Sequence, residues 1–160
     1  MADIYLIKYS VKGIKAIDQL VSLSFYKKII PKNADTQAYN IKGIYGMNGS
    51  GKSGIITSVE ILKSLLIDSD YLNNPIVQKN LDAIINKKTS ELFMEADYII
   101  KRDKEVIGLY RYNVTLLKGA TGRYIISHEG LFTKKATSRS DVMHTIFEVD
   151  NGEIITLIEE

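Results

Sequence analysis

The sequence predicts an α/β fold with α+β character, in which a mixed sheet wraps one glycine-led helix and continues into an antiparallel β-meander. Three observations predict it. A glycine-rich stretch, residues 46–53, lies between a short apolar run and the start of a helical pattern. Apolar residues then recur at spacings of three and four through residues 53–68 and again through 74–85. From residue 92 onward the pattern changes to short runs of strand formers separated by polar turns. With 160 residues, 45% of them hydrophobic and 25% charged, the chain suits a single globular domain around one core. It divides into an N-terminal β-hairpin (1–40), a strand, glycine-rich loop and two helices (41–91), and the meander (92–160).

The elements follow in order. Ile4, Tyr5, Ile7, Tyr9 and Val11 make a first strand, turned at Lys12-Gly13 with a shorter extension to Ile17. Val21, Leu23 and Phe25 repeat at period two in a run that reaches Ile30 and is closed by Pro31-Lys32-Asn33. Residues 40–45 form a short apolar strand that feeds the glycine-rich stretch. Beyond it Ile56, Val59, Ile61, Leu62, Leu65 and Leu66 mark one face of a helix ending near Asp68. Asn74 and Pro75 are an N-cap and first-turn pair, and Ile76, Val77, Leu81, Ile84 and Ile85 carry a second helix to Lys87-Lys88. Strands are then expected over 92–100, 106–117, 122–131, 142–149 and 153–158, the last two joined by the hairpin signal Asn151-Gly152.

Composition excludes several chemistries. The absence of cysteine removes disulfides, thiolate zinc sites and a cysteine nucleophile. His128 and His144 are the only histidines, too few for an all-protein transition-metal site. No apolar run approaches the roughly 20 residues that cross a bilayer, so no membrane span is expected. The N-terminus lacks the basic and apolar regions of a secretory signal, so a cytoplasmic location is expected. A net charge of 21 − 19 = +2 does not by itself imply nucleic acid. The basic pairs Lys27-Lys28, Lys87-Lys88 and Lys134-Lys135 are separate and read as solvated surface.

Gly46-Met47-Asn48-Gly49-Ser50-Gly51-Lys52-Ser53 satisfies G-x-x-x-x-G-K-[ST] in full. Its glycines let successive backbone N–H groups converge on phosphate oxygens. Lys52 is the point charge for the β and γ phosphates and the group that would stabilise charge in catalysis. Ser53 is the candidate Mg²⁺ ligand. The helix opening at this point aims its positive end at the same anion. Strand before and helix after are the context that the motif requires, and ATP with Mg²⁺ is the expected ligand pair.

Residues 44–53, preceded by a hairpin carrying Ser10-Val11-Lys12-Gly13-Ile14-Lys15-Ala16-Ile17, resemble the N-terminal lobe of ABC-type P-loop ATPases of the SMC, RecF and OLD group. Within that group they look most like the stand-alone "AAA family" ATPases of bacterial phage-defence loci. Tyr110-Arg111-Tyr112 and residues 126–131 resemble the family's stretch between its first helix and its signature region. The resemblance implies the first-lobe fold of a P-loop NTPase, ATP hydrolysis within a larger assembly, dimerisation with another ATPase head or a complementary lobe, and DNA as a ligand by analogy alone. Several family parts are absent. There is no signature, the glutamines Gln19, Gln37 and Gln78 fall in the wrong places for a Q-loop, and His144 precedes the last strand. The nearest Walker B imitation, residues 154–160, reads as a strand with two solvated terminal acids, Glu159 and Glu160.

The chain is therefore expected to be a fragment or a split subunit that binds ATP and does not hydrolyse it alone. Lys12 and Lys15 stand where related ATPases place a basic residue near the phosphates, and solvated hairpin lysines fit as well. Tyr5, Tyr9 and Tyr26 read as cross-strand packing in preference to a base platform. Glu95, Asp97 and Glu129 show no spacing suited to acid–base work. Two other functions compete: a small self-contained P-loop kinase or GTPase, and a non-enzymatic assembly module with a vestigial phosphate loop.

Overall fold

Alternating burial along the strands builds one sheet in the computed structural model, which describes residues 2–27, 29–37, 41–47 and 49–158. In chain order the elements are β1 (Ala2–Lys12), β2 (Val21–Ser24), α1 (Lys52–Ile67), α2 (Pro75–Ile84), β3 (Glu91–Arg102), β4 (Glu105–Lys118), β5 (Tyr124–Lys134), β6 (His144–Asp150) and β7 (Glu153–Leu157), with a 3-10 turn at Tyr71–Asn73 between the helices. The strands form a single seven-stranded sheet in the order β2-β1-β3-β4-β5-β6-β7. Every ladder in it is antiparallel.

This corrects the expected fold class. A P-loop NTPase carries parallel strands and many helices, whereas the described residues hold no parallel ladder and only two α-helices. The reason lies in the connections. After α2 the strands are joined by short turns such as Asp103-Lys104 and Asn151-Gly152, which can link only antiparallel neighbours; parallel pairing needs a crossover of a dozen or more residues. The strand expected over 40–45 is also not formed. Residues 41–47 are irregular, and Ile41 and Tyr45 are 89% and 95% exposed, because no neighbouring strand supplies hydrogen-bond partners. Residue 40 lies outside the described residues. The C-terminal meander itself is present as expected.

The two faces of the sheet bury different things. Tyr9 and Val11 of β1, Leu92 and Met94 of β3, and Val114 and Leu116 of β4 share one face, and α1 and α2 pack on it through Ile55, Ile61, Leu62 and Leu81. Residues of opposite parity, such as Ile99 and Leu109, lie on the other face with Ile30, Ala34 and Ala136, so the segments after β2 and β5 cover that side. On the helical side Asn74 caps α2 by accepting from the Ile76 N–H at 2.9 Å, with Pro75 in the first turn. Gln78 clamps α2 to β5, donating to the Tyr124 carbonyl and accepting from the Tyr124 N–H. Helix α1 turns a different face inward from the one expected: Ile56, Val59 and Leu66 are exposed, while Gly54, Ile55 and Ser58 join Ile61 and Leu62 inside. The glycine and serine permit close approach, and Ser58 has a partner there.

That partner is Tyr9, whose hydroxyl donates to Ser58 Oγ at 2.8 Å while Ser58 donates to the Ile55 carbonyl at 2.7 Å. Burial pushes the Tyr9 phenol from 10.0 up to about 12, against a smaller opposing effect of the Ser58 bond. A phenol held protonated beyond its unfolded value contributes stability below pH 10.0, and that contribution is lost as pH rises toward about 12. The wild type is expected to weaken through this window. Tyr9→Phe should cost about 1 kcal/mol near neutral pH and lack this share of the alkaline loss, as urea unfolding near neutrality and in alkali would show. No helix among the described residues is long and apolar enough to cross a membrane.

Candidate functional site

The glycine-rich stretch forms a tight turn that ends on the first residue of α1. Ser50 N–H bonds the Met47 carbonyl at 3.2 Å, and Gly54 N–H bonds that of Gly51 at 2.8 Å. Gly49 and Gly51 both adopt left-handed backbone, with φ of 84° and 89°. At Gly49 a side chain would meet open space, but a Cβ at Gly51 would stand 2.7 Å from Ile17 Cγ1. Only glycine suits that second position. Gly51 is also the N-cap of α1, so no side chain caps the helix and its first turn carries no acid. That end of the helix keeps its positive character for an anion.

Gly46, Met47, Gly49, Ser50, Gly51, Lys52 and Ser53 are thus brought into one turn, while Asn48 lies outside the described residues. The Lys52 ammonium folds back over the loop, donating to the Gly46 and Met47 carbonyls at 2.5 and 2.6 Å. An open cleft of about 680 Å³ lies against this turn, lined by Lys15, Lys42, Lys52 and Ser53 with Ile44 and Ile56 as apolar walls. Three lysines therefore border it, and no carboxylate among the described residues lines it. The chemistry of such a cleft is attraction of a polyanion.

Lys15 is the best-placed of these cations. It sits in the turn that follows β1, where Gly13 N–H bonds the Ile17 carbonyl and Lys15 N–H bonds the Ile84 carbonyl at 2.7 Å, at the end of α2. Its own φ is 50°, a strained value for a residue with a side chain. The stem lies near Gly54, and the ammonium donates to Ser53 Oγ at 3.2 Å. Lys42 donates to the Ser24 carbonyl and ties the chain before the loop to β2. Sequence reasoning missed Lys42, which belongs to no motif and was counted as part of a strand. Of the two lysines that the resemblance points to, Lys15 lies beside the loop, in contact with Ser53.

Other candidates lie elsewhere. Lys12 pairs with Phe93 inside the sheet. Tyr9 is buried, Tyr26 packs on the far face, and Tyr5 lies under the Lys101 ammonium at 5.9 Å. Glu129 accepts from the Tyr112 hydroxyl at 2.7 Å, and His144 is an exposed residue at the start of β6. Residues 153–157 form an edge strand with Ile154, Ile155 and Leu157 exposed, and Glu159 and Glu160 lie outside the described residues.

A second cleft, of about 520 Å³, opens on the far face above Asp97 and Arg111. It is the weaker candidate, since Arg111 is bonded to the Asp97 carboxylate through both ends of its fork, at 2.7 and 2.8 Å, and its charge is already met. Glu95 beside them has its carboxyl raised above 4.5, chiefly by burial and against the pull of Arg111. In comparisons with known proteins, no family model, no curated protein and no solved structure matches the chain.

Proposed function

We propose that residues 46–53 bind the phosphates of a nucleoside triphosphate, ATP in the first place. One observation carries this reading: the described residues of a complete phosphate-loop motif fold into a glycine-permitted turn on the N-terminus of α1, facing a cleft with three lysines. The proposal rests on the loop and its helix, not on the sheet. Phosphate oxygens would draw the Lys52 ammonium off the Gly46 and Met47 carbonyls, exchanging two neutral acceptors for charged ones. Ser53, in the first turn of α1, would offer its hydroxyl on the same side of the cleft.

Binding without turnover is the expected behaviour of the chain alone. Hydrolysis needs a group that positions water and further stabilisation of transition-state charge. The described lining offers lysines and one serine for this. A second nucleotide-binding head, as the resemblance implies, would supply the rest.

Nucleotide at about 100 times its dissociation constant should stabilise the fold by about 2.7 kcal/mol. The expected result is a rise in thermal midpoint with ATP that Lys52→Ala abolishes, with no turnover by either protein. Equal shifts in both would overturn the reading, and turnover near one per second would overturn its second half. Selective stabilisation by GTP would favour a GTPase instead.

A further inference from the structure

We propose that Lys15 supplies the cation for which a phosphate-loop site ordinarily uses Mg²⁺, so that this cleft takes a nucleoside triphosphate without a divalent metal. The inference rests on the nucleotide reading above and concerns what neutralises the phosphates.

Lys15 competes with Mg²⁺ for the one hydroxyl that lines this cleft. That ion requires octahedral oxygen ligands at about 2.1 Å and is usually held through one or two carboxylates together with phosphate. Here the lining among the described residues offers the Ser53 hydroxyl and no carboxylate. The hydroxyl is already engaged, because the Lys15 ammonium donates to Ser53 Oγ at 3.2 Å. A metal ion bound to the same oxygen would sit beside that ammonium, and two cations at such a distance repel strongly in a cleft that already holds Lys42 and Lys52.

Lys15 has an exposed side chain on a backbone that is fixed beside the loop. Its backbone N–H is bonded to the Ile84 carbonyl, and its carbonyl accepts from Asn86 Nδ2 at 3.3 Å. Its Cδ lies 3.6 Å from the position a Cβ would take on Gly54, so the stem runs along the first turn of α1. The left-handed backbone at Lys15 aims the side chain there. Built in this way, the ammonium reaches the hydroxyl that a metal ion would use. It would stay there, donating to Ser53 Oγ and to a phosphate oxygen together.

Titration of the intact chain with ATP, once in excess Mg²⁺ and once in excess EDTA, tests this. The wild type should bind in EDTA within about threefold of its affinity in Mg²⁺. Lys15→Met should lose at least about tenfold in EDTA and recover when Mg²⁺ is added. Lys15→Arg, which keeps the charge, should retain binding in EDTA, and circular dichroism would verify that both variants fold. Binding by the wild type only in Mg²⁺ would overturn the inference and leave the nucleotide reading standing. Equal loss by Lys15→Met in both conditions would overturn it too, since Lys15 would then be an ordinary phosphate contact. Absence of binding under both conditions would overturn the nucleotide reading itself.

Discussion

Gly13→Ala is expected to destabilise the protein by roughly 3 kcal/mol, more than any other single-methyl addition to its glycines. Two effects add. Gly13 has φ of 89°, and a side chain in that region costs about 1 kcal/mol before it touches anything. The Cβ would also lie 1.9 Å from the Glu91 carbonyl oxygen and 3.3 Å from Leu92 Cα, both backbone atoms of β3 that no rotamer change can move. Gly13 meanwhile accepts from the Asn86 N–H at 2.8 Å, so displacing it pulls on the link between α2 and β3. Ile14, fully buried beside it, would shift as well. Urea unfolding measures the loss. Gly49→Ala is the control: its φ is 84° but nothing lies within 4 Å, so only the conformational cost of about 1 kcal/mol should appear. Equal losses in the two variants would show that the contact with β3 yields.

Arg111→Met should cost about 3 kcal/mol near neutral pH, and most of that cost should disappear in acid. Arg111 holds Asp97, which is 7% exposed, through two hydrogen bonds and stands 3.5 Å from Glu95 Oε1. Removing the guanidinium leaves two partly buried carboxylates side by side on neighbouring positions of one face of β3. Burial already raises the Glu95 carboxyl above 4.5, and loss of Arg111 raises it further. The sign follows: a group whose folded value is raised contributes stability below its unfolded value and loses it as pH rises through the folded one. The variant should therefore lag the wild type at neutrality and approach it as pH falls toward 4.5 and below. Urea midpoints across that range provide the measurement, and a pH-independent deficit would mean that packing, not charge, is what Arg111 provides.

The parts of the structure that were legible in the sequence are those where a residue type has only one physical use. Asn74-Pro75 starts α2, Asn151-Gly152 makes the last hairpin, and alternation gives the strands of the meander. The glycine-rich turn on α1 was legible because positive φ and close approach both demand glycine at position 51. The sheet's direction was not legible, because apolar runs look alike in parallel and antiparallel neighbours and the family resemblance supplied the wrong one. Residues 40–45 read as a strand from their apolar run, yet strand formation depends on a neighbour that propensity does not reveal, and the described part, 41–45, is irregular. The inward face of α1 was misjudged because apolar residues line both of its sides, and Ser58 gained a buried place only through Tyr9, 49 positions earlier in the chain. The position of Lys15 beside Ser53 depends on bonds to its backbone from Ile84 and Asn86, about seventy residues on, which no local pattern reveals.

The sheet order contains one long reach. Each strand from β3 to β7 pairs with its successor in the chain, but β1 meets β3 across residues 13–90, a stretch that includes the phosphate loop and both helices. Closing so long a stretch is entropically slow compared with zipping hairpins. The meander can therefore form early and wait, and the turn that presents Lys15 to Ser53 comes into being only when the first strand docks. Assembly of the cleft beside the glycine-rich turn is thus expected late in folding, and the proposed nucleotide would act as a latch on the finished molecule, not as a template for the unfinished one.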